Sequence, residues 1–240
     1  MAFYAQMSSG LGRILLASDG AGLTGLYFIG QKDCPPLDGL PPPAPQAKDP
    51  TAGLMSGVAI KNFKARMAAG GGLFGPANLA RTGAAGGAPF PGQASRTLCG
   101  AAGGAHDALT FMQDGTPHAV EALFERAQRE LREYFRGERK AFTLPLAAEG
   151  TDFQKKVWHA LLAIPYGQSV SYGEVARAAG LTPRHGRPVG TAVGRNPIAI
   201  IIPCHRVLGG AGTLTGYSGG LERKFALLEL EGFSLGYRAS

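Results

Sequence analysis

The feature that most restricts the fold of this chain is a run of three isoleucines at positions 200–202 that ends at Pro203-Cys204-His205-Arg206. A short apolar run bounded by proline is typical of a buried strand or of a turn within the core. The sequence therefore predicts a thiol, an imidazole and a guanidinium at the inner end of a core element. A free thiol is only a few per cent ionised at neutral pH, so a nucleophilic cysteine requires a neighbouring base or positive charge. His205 and Arg206 are the candidates for that group.

The imidazole of His205 is not expected to touch the sulfur of Cys204 directly. Neighbouring side chains point to opposite faces of a strand, and on a helix they diverge by about 100°. A water molecule between the imidazole and the thiol is the contact that this geometry favours. The alternative is that Cys204 is only a packing residue, because free cysteine is among the most buried residue types.

Length, charge and cysteine content narrow the class of protein. A chain of 240 residues is long enough for one large domain or two small ones, and its net charge of +7 favours a polyanionic partner. Its three cysteines include no CxxC spacing, which argues against a disulfide framework and for a reducing compartment. There is no apolar stretch of about 18 residues and no signal-peptide pattern. We therefore expect a soluble intracellular protein without a membrane partner.

The beginning of the chain has the pattern of a β-hairpin. Two apolar runs, at 13–18 and 23–28, flank the turn residues Asp-Gly-Ala-Gly at 19–22. Turn chemistry between two such runs predicts antiparallel strands. Residues 1–33 are accordingly assigned to the β-hairpin part of a small N-terminal domain.

The next two segments differ sharply in composition. Residues 34–116 are rich in Gly, Ala and Pro and are expected to form a flexible insertion, because they bury too little apolar surface to offset their ordering entropy. Residues 117–149 should complete the N-terminal domain. They contain an amphipathic helix that ends at Gly137 and an alternating apolar pattern at 142–146 that predicts a strand.

Residues 150–240 are assigned to a second, mainly helical domain. Its first helix is expected to be capped by Thr151 or Asp152. The S-x-x-E spacing at 171–174 predicts a capping box and a short helix, and a second short helix follows at about 187–195. Two short helices joined by a glycine-bearing turn form a helix-turn-helix. The predicted fold class is therefore α+β, with a small N-terminal β-hairpin or sheet domain and a winged-helix-like C-terminal domain.

The excess positive charge lies on this second domain. From residue 152 onward the chain has ten Lys and Arg against five Asp and Glu. The second short helix carries Arg187 at its start and Arg195 at its end, with small residues such as Gly190 and Thr191 between them. A helix with so little side-chain bulk allows its backbone to approach a partner closely. The alternative is a helix that packs tightly on its own neighbours.

Several separate motifs, in a fixed order, resemble one protein family. They are Phe153-Gln154, Val157-Trp158, Ile164-Pro165-Tyr166-Gly167, Ser171-Tyr172-Gly173-Glu174, Gly194-Arg195-Asn196-Pro197 and Pro203-Cys204-His205-Arg206-Val207. With these motifs the chain resembles the O6-alkylguanine-DNA alkyltransferases, also called methylated-DNA:protein-cysteine methyltransferases. The resemblance covers nearly all of the chain from His118 onward and, more faintly, the hairpin at 10–31.

The resemblance implies a protein that repairs DNA by direct reversal of damage. Its helix-turn-helix would bind double-stranded DNA in the minor groove and extrude the alkylated guanine, because an alkyl group on O6 inside the base stack is out of reach of a buried thiol. The alkyl group of O6-alkylguanine, or of O4-alkylthymine, would pass irreversibly to Cys204. Each molecule would act once, as a monomer and without a cofactor.

The resemblance also implies roles for individual residues. Cys204 would be the alkyl acceptor, His205 would act through water as its base, and Glu231 would orient His205. Asn196 would hold the active-site turn, and Tyr172 would hydrogen-bond the guanine ring as it leaves the stack. The residues implied to contact DNA are Arg187, which would fill the gap in the stack, Gly190, Thr191, Arg195 and Ser171. Those implied to line the substrate pocket are Tyr217, Ser218 and Pro203.

Two other functions are compatible with the same residues. A non-enzymatic, alkyltransferase-like DNA-damage sensor or regulator could use the same helix pair, although relatives of that kind typically replace the acceptor cysteine. A cysteine hydrolase built from Cys204, His205 and an amide predicts turnover, whereas the transferase predicts one alkyl group per chain.

No metal is expected, because an N-terminal zinc site would have only Cys34, Cys99 and His106 as Cys and His ligands.

Overall fold

The computed structural model describes residues 1–36, 97–98, 109–182, 186–209 and 212–233. Its N-terminal part contains five strands: β1 (Phe3–Ser9), β2 (Gly12–Ser18), β3 (Leu23–Phe28), β4 (Thr97–Leu98) and β5 (Leu109–Phe111). They form one antiparallel sheet in the order β3-β2-β1-β5-β4. The fold is of the predicted α+β class, with helices following this sheet.

Strands β2 and β3 are the predicted hairpin. Asp19 stabilises their turn, because its Oδ1 accepts hydrogen bonds from the backbone amides of Ala21 (2.8 Å) and Gly22 (3.0 Å). Gly20 adopts a φ of 102° in the same turn, a conformation that a Cβ atom disfavours. Asp19 and Gly20 therefore stabilise the turn in which they lie, as predicted from their residue types.

The sheet is larger than the hairpin that the sequence predicts. β1 pairs with β2 along its whole length, with Ala5 and Met7 buried on one face. β5 pairs with the other edge of β1, and β4 pairs with β5. Both β4 and β5 lie within 34–116, so this segment contributes strands to the sheet instead of forming an insertion throughout. Residues 37–96 and 99–108 of the segment lie outside the described residues.

Helix α1 (His118–Phe135) confirms the amphipathic pattern. Its buried residues include Val120, Phe124 and Leu131, each at most 1 % exposed, and the helix packs against β1. The chain turns away at Gly137, which has a φ of 75°. Spacing of apolar residues at helical period was therefore sufficient to predict this element.

The strand predicted at 142–146 does not form. Leu146 makes only an isolated parallel bridge to Leu23. The amide of Leu23 donates to the carbonyl of Pro145, and the amide of Ala147 donates to the carbonyl of Leu23, both at 2.8 Å. Proline has no N–H to donate to a ladder, so it limits the pairing of an extended segment.

The C-terminal part is mainly helical. Its elements are α2 (Asp152–Leu162), β6 (Val170–Ser171), α3 (Tyr172–Ala178), α4 (Gly186–Gly194), β7 (Val207–Leu208) and α5 (Leu221–Leu230). Helices α3 and α4 are the predicted helix-turn-helix, and α2 packs against both of them. The cap of α2 is Thr151, which forms a capping box with Gln154. None of the described helices is both long and apolar enough to cross a membrane.

The isoleucine run is a core turn rather than a strand. Ile200 adopts a φ of 69° there, which a β-branched residue rarely accepts. The turn is fastened to strand β3, because the amide of Leu26 donates to Pro197 (2.8 Å) and the amide of Ala199 donates to Leu26 (3.0 Å). The N-terminal sheet therefore directly supports the segment that leads to Cys204.

Candidate active site and nucleic-acid interface

Cys204 begins a single turn of 3-10 helix, Cys204–Arg206, directly after the core turn. It is 3 % exposed. The amide Nδ2 of Asn196 donates to its sulfur (3.1 Å) and to the carbonyl of Ile202 (2.8 Å). Burial raises the pKa of the thiol, while the hydrogen bond from Asn196 and the charge of Lys224 oppose that rise. The thiol therefore needs a base, and groups that stabilise a thiolate already surround it.

His205 is fully buried and is held by one ring nitrogen. Its Nε2 lies 2.8 Å from Oε1 of Glu231, and its Nδ1 has no hydrogen-bond partner among the described residues. Burial lowers the pKa of His205, and the hydrogen bond and charge of Glu231 oppose that shift. An imidazole that donates from Nε2 to the carboxylate keeps an unshared pair on Nδ1. We assign this tautomer from the hydrogen-bond pattern, and it leaves Nδ1 able to accept a proton.

The carboxylate of Glu231, immediately after α5, accepts hydrogen bonds from four residues. Arg206 binds it in a bidentate manner, with Nε to Oε2 at 2.8 Å and Nη2 to Oε1 at 2.9 Å. The other donors are His205, the hydroxyl of Tyr134 (2.7 Å) and the amide of Gly167 (3.2 Å). Burial disfavours the charged carboxylate, but the bonds from His205 and Arg206 outweigh it and lower the pKa of Glu231 to about 2. Glu231 is therefore ionised beside the imidazole.

Lys224 is a buried cation near the site that sequence reasoning missed. Its Nζ donates to the carbonyls of Val207 (2.6 Å) and Thr215 (2.8 Å). Burial lowers the pKa of its ammonium group to about 8, and the interaction with Cys204 opposes that shift. The sequence pattern that could have identified Lys224 as buried is its position in α5. It lies three residues after Leu221 and three before Leu227, on the apolar face of the helix.

A cleft of about 540 Å³ brings together six of the predicted residues, namely Tyr172, Gly190, Thr191, Arg195, Tyr217 and Ser218. The hydroxyl groups of Tyr217 and Ser218 are buried and have no partner within the described ranges. Burial raises the pKa of Tyr217 well above its ordinary value, and interaction with Cys204 raises it further. Two residues that line the cleft therefore carry buried hydroxyls without a partner among the described residues, and one of them, Tyr217, interacts with Cys204.

The other predicted residues do not line this cleft. Asn196, Pro203, Cys204, His205 and Glu231 are buried. Arg187 is exposed in the first turn of α4, and the cleft-lining residues Thr191, in α4, and Arg195, immediately after α4, are exposed as well. Ser171 is the cap of α3, where its amide and hydroxyl both donate to Oε2 of Glu174, at 2.6 and 2.8 Å.

The helix pair meets the cleft at Tyr172, the first residue of α3. Its hydroxyl accepts a hydrogen bond from Oγ1 of Thr215 at 3.2 Å. A Cβ atom added at Gly190 of α4 would lie 3.7 Å from the ring of Tyr172, an ordinary van der Waals contact. The packing of α4 on α3 therefore leaves room for a Cβ atom at Gly190.

Lys32 and Asp33, in the turn that follows β3, also line the cleft. Sequence reasoning missed both, because nothing in the local pattern connects the N-terminal hairpin with residues 172–218. Both side chains are exposed. The N-terminal part of the chain therefore contributes a charged edge to a site that the C-terminal part otherwise forms.

Of the three residues considered for metal binding, the structure describes Cys34. No three His, Cys, Asp or Glu side chains in the described part of the chain form a cluster that could hold a metal ion. Cys34 is half-buried with a free thiol. Cys99 and His106 lie outside the described residues.

Fold and site together define a class: a helix-turn-helix protein in which a basic helix borders a cleft beside a buried Cys-His-Glu cluster. Comparison with known proteins gives the same picture. The family model described as "6-O-methylguanine DNA methyltransferase, DNA binding domain" matches residues 152–233. The methylated-DNA–protein-cysteine methyltransferase of Methanosarcina acetivorans is 56% identical over 112 residues, covering 47% of this chain and 71% of that protein.

Two further relatives extend the comparison. The constitutive methylated-DNA–protein-cysteine methyltransferase of Bacillus subtilis is 49% identical over 120 residues, covering 50% of this chain and 72% of that protein. The crystal structure of Mycobacterium tuberculosis OGT in complex with DNA superposes with a TM-score of 0.56 at 33% identity, covering 94% of this chain and 90% of that one. The chain belongs to the methylated-DNA–protein-cysteine methyltransferase family.

Proposed function

We propose that this protein repairs DNA by transferring an alkyl group irreversibly from O6 of guanine, or from O4 of thymine, to the sulfur of Cys204. The observation that carries the proposal is a buried thiol followed in the chain by a buried imidazole whose Nδ1 has no partner among the described residues, near a cleft lined by Tyr217 and Ser218. The names of the relatives describe a transfer of this kind for those proteins.

In this reaction one proton leaves the thiol, and one proton reaches the guanine. The thiol proton passes through a water molecule to Nδ1 of His205, and the ionised Glu231 stabilises the imidazolium that results. The sulfur then attacks the alkyl carbon, so that a C–S bond forms while the C–O6 bond breaks and its electron pair stays on the oxygen. The guanine takes up one proton, which returns His205 to its neutral form.

Neighbouring groups favour the thiolate during this step. Asn196 donates to the sulfur at 3.1 Å. The ammonium group of Lys224 adds positive charge and also opposes the effect of burial on the pKa of Cys204. Both groups stabilise negative charge where it develops, in a site from which water is largely excluded.

DNA would bind through α3 and α4 in its minor groove. Arg187, exposed at the start of α4, would enter the gap that the extruded base leaves in the stack. Tyr172 already accepts a hydrogen bond at its oxygen, so its own proton is free to be donated to the guanine ring. Tyr217 and Ser218 would bind the base inside the cleft. The other proposed contacts with DNA are Gly190, Thr191, Arg195 and Ser171.

We assign these roles to residues 150–240 as the DNA-binding and alkyl-transfer domain. Residues 1–33 and 117–149 would form the small N-terminal domain together with strands β4 and β5. Attack on a saturated carbon yields a thioether that water does not hydrolyse, so each chain would act once. The activity would take place where the chromosome is, in the cytoplasm or nucleoid of a cell without a nucleus and in the nucleus of one that has it.

The test is to incubate the protein with duplex DNA containing O6-methylguanine and to weigh the intact chain. We expect one added methylene per chain, mapped to Cys204 by peptide mass, and no addition in Cys204→Ala. The control Cys34→Ala should react like the unaltered protein. Binding of DNA without a gain in mass would favour the damage sensor, and repeated turnover without a gain in mass would favour the hydrolase.

A further inference from the structure

The hydroxyl of Tyr134 connects helix α1 to the residue that orients His205. It donates to Oε1 of Glu231 at 2.7 Å, between residues 97 positions apart in the chain. The same oxygen lies 2.8 Å from Nε2 of His205 and 2.9 Å from Nη2 of Arg206. Tyr134 is fully buried and Glu231 is 5 % exposed, so solvent does not readily replace this bond.

We propose that Tyr134 is a positioning residue for alkyl transfer, whose hydroxyl holds the carboxylate of Glu231 in place for His205, so that helix α1 completes the proton relay. This inference rests on the proposed function of His205 as the base. It assigns to the N-terminal domain a part in the chemistry, in addition to its support of the core turn.

The packing of Tyr134 can be separated from its hydrogen bond. Its ring lies 5.4 Å from that of Phe142, 5.7 Å from that of Phe135 and 6.2 Å from that of Tyr166, measured between centroids. Phenylalanine at this position keeps all three contacts and loses only the donor. The substitution Tyr134→Phe therefore isolates the hydroxyl.

Several charged or titratable groups face the Glu231–His205 pair. Arg206 binds the carboxylate from the 3-10 turn, and Lys224 of α5 lowers the proton affinity of His205. Tyr166, in the loop after α2, packs edge-on against Tyr134. Burial, and then the charge of Glu231, raises the pKa of Tyr134 well above its ordinary value. The Tyr134 hydroxyl therefore stays protonated, and remains a donor, while His205 titrates.

Removal of the Tyr134 hydroxyl should raise the pKa of His205. A carboxylate that loses one hydrogen bond carries more negative charge density toward its remaining donors. Glu231 then attracts the imidazolium form of His205 more strongly, and His205 holds its proton to higher pH. Transfer depends on neutral His205, so the acid limb of its pH profile moves upward in Tyr134→Phe.

The experiment measures the rate of alkyl transfer from free O6-benzylguanine to the full-length protein as a function of pH. We expect the midpoint of the acid limb to rise in Tyr134→Phe by roughly 0.5 to 1 pH unit, because the carboxylate of Glu231 then stabilises the imidazolium of His205 more strongly. On the alkaline side of the limb the rates should agree within about twofold.

Tyr166→Phe is the matched control. It removes a hydroxyl from the same aromatic cluster, but that hydroxyl donates to the backbone carbonyl of Leu230 at 2.9 Å. Both variants should lose thermal stability, and only Tyr134→Phe should shift the pH profile. An unmoved midpoint in Tyr134→Phe, or an equal shift in Tyr166→Phe, would show that Tyr134 is merely structural.

A second variant covers the case in which Tyr134→Phe does not fold. Difluorotyrosine placed at position 134 makes the phenol a stronger donor while the ring remains, so the midpoint should move downward. A midpoint that stays in place or moves upward overturns the inference. If the unaltered protein transfers no alkyl group to Cys204, the proposed function fails together with the inference, whereas transfer with unmoved midpoints contradicts the inference alone.

Discussion

Asn196 donates its side-chain amide to the sulfur of Cys204 across 3.1 Å, and the same nitrogen donates to the carbonyl of Ile202 at 2.8 Å. Its Oδ1 accepts the amide of Ile198 at 3.0 Å. One buried side chain therefore joins both ends of the core turn and also presents a donor to the thiol. Asn196 therefore affects both the conformation of the core turn and the environment of the thiol.

Asn196→Asp keeps the acceptor for the amide of Ile198 and loses both donated bonds, the one to the sulfur of Cys204 and the one to the carbonyl of Ile202. The new carboxylate also repels a thiolate on Cys204. We expect transfer to slow by roughly tenfold or more at neutral pH, with recovery as pH rises, since one unit of thiol pKa corresponds to a factor of about ten in thiolate. Rates of transfer from O6-benzylguanine across pH check this. An unchanged pH profile would show that Asn196 serves the turn alone.

Arg187 distinguishes base extrusion from simple binding of phosphate. If its planar guanidinium fills the gap in the base stack, lysine cannot replace it. We therefore expect Arg187→Lys and Arg187→Ala both to slow repair of duplex DNA much more than they weaken DNA binding, while transfer from free O6-benzylguanine is nearly unchanged. Full activity in Arg187→Lys, with a slightly shallower salt slope in Arg187→Ala, would instead identify a phosphate contact.

Ser218→Ala should leave stability almost intact. The hydroxyl of Ser218 is buried without a protein partner in the described ranges, so its removal should change the free energy of unfolding by no more than about 0.5 kcal/mol. Transfer should slow by roughly tenfold through loss of one hydrogen bond to the base. Ser18→Ala is the control, because buried Ser18 donates to Gly22 at 2.8 Å; it should lose stability and keep its transfer rate. Loss of both properties in Ser218→Ala would contradict a role in the cleft.

Lys224→Met tests the buried cation through the pH dependence of stability. The pKa of Lys224 is lowered by burial from 10.5 to about 8, so between these values the unfolded chain retains a proton that the folded chain has released. Unfolding free energy of the unaltered protein should therefore rise with pH through this window relative to Lys224→Met, by up to about 3 kcal/mol. Urea unfolding at the two ends of the window measures the difference.

Lys32→Ala tests the contribution of the N-terminal turn to DNA binding. Lys32 and Arg195 both line the cleft, so a DNA strand bound there would meet two positively charged side chains. We expect weaker binding of duplex DNA and a salt slope reduced by about one unit, with transfer from free O6-benzylguanine unchanged. Arg129→Ala, on the exposed surface of α1 outside the cleft lining, should change neither. An unaltered salt slope in Lys32→Ala would remove Lys32 from the interface.

Elements whose interactions span only a few residues were predictable from sequence. The capping boxes of α2 and α3 form between residues three apart, so the spacing itself carries the information. The apolar stripe of α1 and the turn residues of the β2–β3 hairpin act over similar distances. The apolar run before Cys204 also predicted a buried thiol, since apolar side chains leave water wherever the chain allows it.

The tertiary structure decided which of these elements meet, and therefore how the site is built. Tyr134 reaches Glu231 across 97 positions, and Lys32 borders the same cleft as Tyr217. A local pattern identifies the apolar face of an element but not the group that covers it. The spacing of Lys224 from Leu221 and Leu227 places it on the apolar face of α5, but only burial in the packed fold lowers its pKa to about 8. Partners and pKa values depend on burial by segments distant in the chain, and that burial exists only once the chain has folded.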